Sequence, residues 1–324
     1  MFGGQVMSFE VIIPFLRPIE HLIVDGEISE IMVNGNSRVF IERRGLVEEV
    51  RGVSIEEKTL QIAVKNIAQR LGDDIGDERP LLDSRLPDGS RVAAVFPPCS
   101  IGGTTLTIRK FAAKLFTTDQ LIDIGTLTPP VANLLEDAVR ARKNILISGG
   151  ASTGKTTMLN ALASFIDEDD RIVVIEDTAE LRLEQPNVLR FEARREQPGL
   201  PAVTIRDLVK ATLRHRPDRI LVGEVRGAEA FDLLQALNTG HSGSLATIHA
   251  NTATQAISRL ASCVLQSDIQ LPFHAIRSSI ADSLNLVLHL ERRNCNRCVA
   301  ELVQVDGYDP ARDQFEFNSL YRAA

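Results

Sequence analysis

Apolar and polar positions change their rhythm along the chain. In the first third, Glu30 to Val33 and Arg38 to Ile41 alternate or run apolar on either side of Asn34-Gly35, a pair that favours a hairpin turn. Ser54 and Glu57 have the spacing of a capping box. Leu60, Ala63, Val64, Ile67 and Leu71 follow at helical spacing, with Gly72 placed to end the helix. Pro87-Asp88-Gly89 reads as a turn, Val92 to Phe96 as the strand leaving it, and Thr104 to Ile108 as a further strand ending at Arg109-Lys110. From about Phe116 the pattern shifts. Thr128 caps a helix with Pro129 at its first position and an apolar face of Val131, Leu134, Leu135, Ala138 and Val139. Strands predicted at Asn144–Ser148, Arg171–Ile175, Arg219–Val222 and Ser244–Ile248 then alternate with helices starting near Gly154, Thr204, Gly227 and Thr252. That alternation implies βαβ units around a mostly parallel sheet, and the chain turns strand-rich after Leu284. The change of pattern puts a boundary near residues 112–118, giving an N-terminal α+β domain over 1–113 and an α/β domain over 114–324.

The densest chemistry lies just inside the second region. The apolar strand Ile145-Leu146-Ile147 runs into Gly149-Gly150-Ala151-Ser152-Thr153-Gly154-Lys155-Thr156-Thr157, and an amphipathic helix follows with Met158, Leu159, Leu162 and Phe165 on its inner side. Strand, glycine loop and helix in this order form a P-loop. Glycines let backbone N–H groups close around phosphate oxygens, and the helix N-terminus adds partial positive charge. Lys155 is placed for the β- and γ-phosphates of ATP, and Thr156 for Mg2+. Two later strands end in carboxylates. Arg171 to Ile175 closes on Glu176-Asp177, with Glu180 one turn on, and a carboxylate there can orient or deprotonate an attacking water. Ile220-Leu221-Val222-Gly223-Glu224 occupies the Walker B place, which assigns Glu224 to Mg2+ together with Thr156. His241 and His249 bracket the Ser244–Ile248 strand; local chemistry alone leaves them equally open as γ-phosphate sensors or as packed and surface residues.

Composition narrows the field. Of 324 residues, 36 are Lys or Arg and 43 Asp or Glu, a net charge of −7, whereas proteins that coat nucleic acid are usually basic. With no Trp and two Tyr, the chain also lacks a set of base-stacking side chains. No run approaches the ~18 apolar residues that cross a bilayer, and the stretch from Val11 to Leu16 lacks the flanks of a signal peptide, so a cytosolic location is expected. Four cysteines are too few for a disulfide scaffold of this size. Cys295 and Cys298 form one C-x-x-C with no second pair nearby, which reads as a turn carrying two cysteines rather than a zinc site.

Taken together these segments resemble the ATPases of type II and type IV secretion, conjugation and Tad-type pilus assembly. The resemblance rests on Leu86-Pro87-Asp88-Gly89-Ser90-Arg91, Leu106-Thr107-Ile108-Arg109-Lys110, the P-loop, Ile175-Glu176-Asp177-Thr178-Ala179-Glu180-Leu181, Arg214 to Glu224, and the segment holding the two histidines. It covers the chain from about Asp83 to the end, and more loosely before that. The P-loop departs from the common family form, with Ala151 and Ser152 where Thr and Gly are frequent. The resemblance implies a ring-shaped homo-hexamer. Each subunit would have a PAS-like N-terminal domain and a RecA-like P-loop NTPase domain with nucleotide between them. It implies that Arg91 and Arg109, otherwise readable as surface charges, approach the phosphates, as fixed cations that stabilise transferring charge do. Partners would be inner-membrane platform or secretion-channel proteins, placing the hexamer at the cytoplasmic face of the inner membrane. Stable nucleic-acid binding is not expected. The expected function is Mg2+-dependent ATP hydrolysis coupled to motion between the two domains. A nucleic-acid-dependent motor of RecA or helicase type is the alternative, and a small-molecule P-loop kinase would need an acceptor pocket and a lid that no segment supplies.

Overall fold

In the computed structural model the described residues are 9–35, 38–43, 45–111, 115–194, 196, 200–293 and 296–323. They fall into two compact units, Met1–Ala113 and Lys114–Ala324. Unit 1 carries α1 (Glu20–Val24), β1 (Ile28–Val33), β2 (Val39–Arg43), β3 (Leu46–Val50), α2 (Glu57–Arg70), β4 (Leu81–Arg85), β5 (Arg91–Val95) and β6 (Thr105–Arg109). Its strands make one antiparallel sheet in the order β3-β2-β1-β6-β5-β4. The sheet is two-faced because its strands alternate. Ile31, Val33, Ile41, Val92, Ala94, Leu106 and Ile108 are buried in one core with Leu60, Ala63, Val64 and Ile67 of α2. The predicted hairpin between β1 and β2 is present, pairing Val33 with Val39.

The predicted capping box is not. Glu56 is the N-cap of α2 and makes no side-chain cap bond. Glu57 turns instead to the residue just before β6, where its carboxylate accepts from the Thr104 N–H at 2.9 Å and the Thr104 hydroxyl at 2.7 Å. Thr104 is fully buried just ahead of that strand, so its donors need a partner that no ladder position provides.

Unit 2 contains α3 (Thr118–Asp123), α4 (Pro129–Arg140), β7 (Ile145–Gly149), α5 (Lys155–Ala163), β8 (Ile172–Glu176), β9 (Val188–Glu192), α6 (Ile205–Thr212), β10 (Arg219–Val225), α7 (Glu229–Asn238), β11 (Leu245–His249), α8 (Ala253–Val264), α9 (Phe273–Ser283), β12 (Leu286–Arg293), β13 (Asn296–Asp309) and β14 (Gln314–Arg322). The sheet runs β14-β13-β12-β7-β11-β10-β8-β9. It is parallel from β12 to β9, and β13 and β14 add antiparallel to one edge. The inner strands β7 and β8 are buried along their whole length and mainly apolar, as strands covered on both faces must be. Residues of α6 to α9 share one buried cluster with Val173, Ile175, Val222 and Ile248. Residues of α3 to α5 share another, on the opposite face, with Ile145, Ile147, Val174 and Leu221.

Three local expectations are adjusted. Leu134 is 42% exposed and lies off the inner face of α4, and Thr128 is the N-cap without a side-chain cap bond. Phe165 lies beyond the end of α5 and is half-buried. Among the described residues no helix is long and apolar enough to cross a membrane.

Candidate active site

Parallel strands deliver their C-terminal ends to one edge of the sheet, and the predicted chemistry gathers there. Gly149, the last residue of β7, begins the loop. A Cβ on it would come 2.5 Å from the Thr153 hydroxyl and 2.6 Å from the Leu290 carbonyl, so only glycine fits. Gly150 and Ala151 follow; then Ser152 (φ 57°) and Gly154 (φ 94°) take left-handed backbone conformations that wrap the loop into the first turn of α5. The Thr153 hydroxyl donates to the Gly150 carbonyl at 3.0 Å and braces the curve. Lys155 is buried, and its ammonium donates to the carbonyls of Gly150 at 2.7 Å and Gly149 at 3.2 Å, which lays the cation across the loop. Thr156 and Thr157 occupy the same first turn, half-buried.

Glu224 lies near the end of β10 between two partners. Its Oε1 is 3.1 Å from the His249 Nε2, and its Oε2 accepts from Arg226 at 2.7 Å. Burial works to raise its pKa, but the Arg226 hydrogen bond and charge, with His249 and Lys155, hold it below the ordinary carboxylate value. Burial first, then the charge of Lys155, lowers His249. A neutral imidazole therefore faces an ionised carboxylate. Register explains the meeting, since Val225 of β10 pairs with Ile248 of β11, while His249 also sits opposite Gly149 of β7. The ionised Glu224 and the Thr156 hydroxyl are oxygen donors of the kind Mg2+ takes, and these two residues would hold it. Among the described residues no cluster of three or more His, Cys, Asp or Glu could hold a metal by itself.

Glu176 differs in kind. It is 3% exposed at the end of β8, and its Oε1 accepts the N–H groups of Glu180 at 2.9 Å and Leu181 at 3.0 Å. Burial outweighs these bonds and pushes its pKa up to about 7, with Glu180 and Glu192 adding repulsion. Its neighbour on β10 has to be Gly223, because a Cβ there would lie 2.9 Å from the Glu176 Cγ. Glu180 enters through its backbone, which donates to Glu176. Two adjacent carboxylates are thus set apart, one held ionised and one poised to exchange a proton near neutrality.

His241 is not brought to this edge. It precedes β11, at the end opposite His249, and its Nδ1 lies 3.1 Å from the Ala236 carbonyl. The two flank opposite ends of β11, whose four steps from Leu245 to His249 span roughly 13 Å at ~3.3 Å per residue. Within this chain His241 does not share the site with His249. In unit 1, Arg91 and Arg109 are direct cross-strand partners, and Arg91 also pairs with Arg85. Three arginines therefore line up on the sheet face away from the core. Cys295 lies outside the described residues, and Cys298 is half-buried with a free thiol.

Other residues join the site without a signal in the sequence. Arg226 bridges Glu224 and Asp177, the latter at 3.0 Å. His289 of β12 is buried behind the P-loop, its Nδ1 2.9 Å from the Ser148 hydroxyl. Arg297 of β13 donates to the Ser152 carbonyl. His289 and Arg297 arrive because β12 pairs with β7, a neighbour relation across ~140 residues that no local pattern announces.

Comparison with known proteins places the chain among ATPases. The family model described as type II/IV secretion system protein matches residues 16–319. The conjugal transfer protein TrbB of Rhizobium radiobacter is 35% identical over 288 residues, covering 88% of this chain and 85% of that protein. Among solved structures, the VirB11 ATPase of the Brucella suis type IV secretion system is 30% identical, with a TM-score of 0.50 over 92% of this chain and 96% of that one. The pilus retraction motor PilT is similar in fold alone, at 20% identity and a TM-score of 0.60, covering 93% of this chain and 84% of that one. With the loop, the paired carboxylates and these matches in agreement, the chain belongs to the type II/IV secretion system protein family and is an ATPase.

Proposed function

We propose that this protein is a Mg2+-dependent ATPase motor. It would work as a homo-hexamer at the cytoplasmic face of the inner membrane, powering pilus assembly or substrate transport in a type II/IV secretion or conjugation machine. The observation that carries the reading is the division of labour between Glu224 and Glu176 on neighbouring strands beside the P-loop. Lys155 and the loop N–H groups would bind the phosphates, with Thr156 and Glu224 holding Mg2+, which neutralises charge on the transferring group. His249 and Arg226 keep Glu224 oriented. Glu176 would orient the attacking water and take its proton, with Glu180 steadying it through the backbone. Arg91 and Arg109 would supply further cations to the phosphates. We read unit 1 as the PAS-like domain and unit 2 as the RecA-like motor. Platform or channel proteins of the machine would be the partners, in keeping with the conjugal and secretion names of the relatives.

The test is phosphate release from ATP with Mg2+ by the purified protein, together with its mass by light scattering. The wild type should hydrolyse ATP to ADP and phosphate without an acceptor or nucleic acid, and form a six-fold species with nucleotide. Lys155→Ala should abolish turnover and weaken ATP binding. Turnover that requires DNA would favour the nucleic-acid motor, and a protein that stays monomeric at micromolar concentration would contradict the ring.

A further inference from the structure

The P-loop carries a strained residue and a side chain from outside the loop that holds it. Ser152 stands at φ 57°, in the left-handed region where a side chain is disfavoured and glycine is at ease. Its carbonyl accepts the Nε–H of Arg297 at 3.0 Å. The stem of Arg297 lies over the next left-handed position, for a Cβ built on Gly154 would be 3.4 Å from the Arg297 Cδ. Arg297 is exposed, and among the described residues no carboxylate lies within ion-pair distance of it, so the loop carbonyl is its anchor. It stands on β13, whose partner β12 pairs directly with the P-loop strand and so gives the arginine a firm base.

We propose that Arg297 is a positioning residue for the nucleotide site: it pins Ser152 in the left-handed conformation that the phosphate-binding loop requires. A charged donor on a carbonyl makes a stronger bond than a neutral pair, and here it acts at the one P-loop residue whose conformation opposes its side chain. Without the pin, part of the population leaves the binding-competent loop, and apparent affinity falls by the fraction lost. Once nucleotide is bound, the loop N–H groups hold the same conformation. The effect therefore falls on affinity more than on kcat, and equally on ADP and ATP. Glycine at position 152 has no side chain to oppose that conformation, so it makes the pin unnecessary.

The experiment is displacement of a fluorescent ADP analogue from the full chain, by ADP and by ATP, alongside steady-state hydrolysis. It compares wild type, Arg297→Ala, Ser152→Gly and the double variant. Arg297→Ala should bind ADP and ATP about five- to tenfold more weakly, with a matching rise in KM. In the Ser152→Gly background the same change should cost less than about twofold. The ADP readout does not depend on hydrolysis, so it stands even if the proposed roles of the two glutamates fail. An Arg297→Ala affinity within twofold of wild type overturns the proposal. So does a loss of equal size in both backgrounds, which would place Arg297 on the nucleotide itself rather than on Ser152.

Discussion

At the scale of single residues, the site depends on contrasts between like groups. Glu176 and Glu224 carry the same carboxyl, yet one is surrounded by backbone and apolar strand while the other is gripped by Arg226 and His249. Glu176 therefore titrates about 7 in the folded protein against an ordinary value of 4.5. The sign is fixed by that order: a raised pKa favours the protonated folded state, so its contribution is full below 4.5 and is lost as pH rises through 7. Glu176→Gln, which mimics the protonated acid, should gain thermal stability relative to wild type between about pH 5 and about pH 8. In the wild type, turnover should rise across the same interval as the carboxylate forms, and the variant should lose that limb. A Tm difference between variant and wild type that is the same at both pH values would show that burial does not control this group.

At the scale of elements, legibility followed how local the cause was. The central strands of the parallel sheet carry apolar runs, and the sequence pattern puts the start of β7, β8, β10 and β11 within a residue or two of where the strand begins. The P-loop was complete in the sequence because one strand, one turn and one helix make it. Several elements had no such signal, β3, β9 and α9 among them. β3 and β9 are edge strands, with exposed or half-buried residues in place of an apolar run, and α9 starts at Pro272-Phe273 without a polar cap. The capping box at Ser54 had the right spacing and failed because Glu57 satisfies a buried strand end 47 residues away. That tertiary bond is measurable. Glu57→Ala leaves the Thr104 N–H and hydroxyl unmatched, and should lower the unfolding free energy by about 2 kcal/mol in urea titration. A change under about 0.5 kcal/mol would mean that the strand start finds other partners.

At the scale of the whole molecule, the two units divide plainly in kind. Unit 1 presents an antiparallel sheet with one polar face, on which Arg85, Arg91 and Arg109 stand in register. Unit 2 presents the open edge of a parallel sheet, where the loop and the carboxylates meet. Within unit 2, the parts that carry no motif, Arg226, His289 and Arg297, all contact residues that are legible in the sequence. They orient or brace groups that the motifs name, which is why they leave no motif of their own. Under the proposed function, ionised Glu224 helps to hold Mg2+ for hydrolysis, so that ATP is turned over here and not merely bound. ATP affinity and phosphate release are to be measured side by side for wild type and Glu224→Gln with Mg2+. Binding should stay within a few-fold of wild type, and turnover should fall by about 100-fold or more. Wild-type turnover in Glu224→Gln would contradict that role.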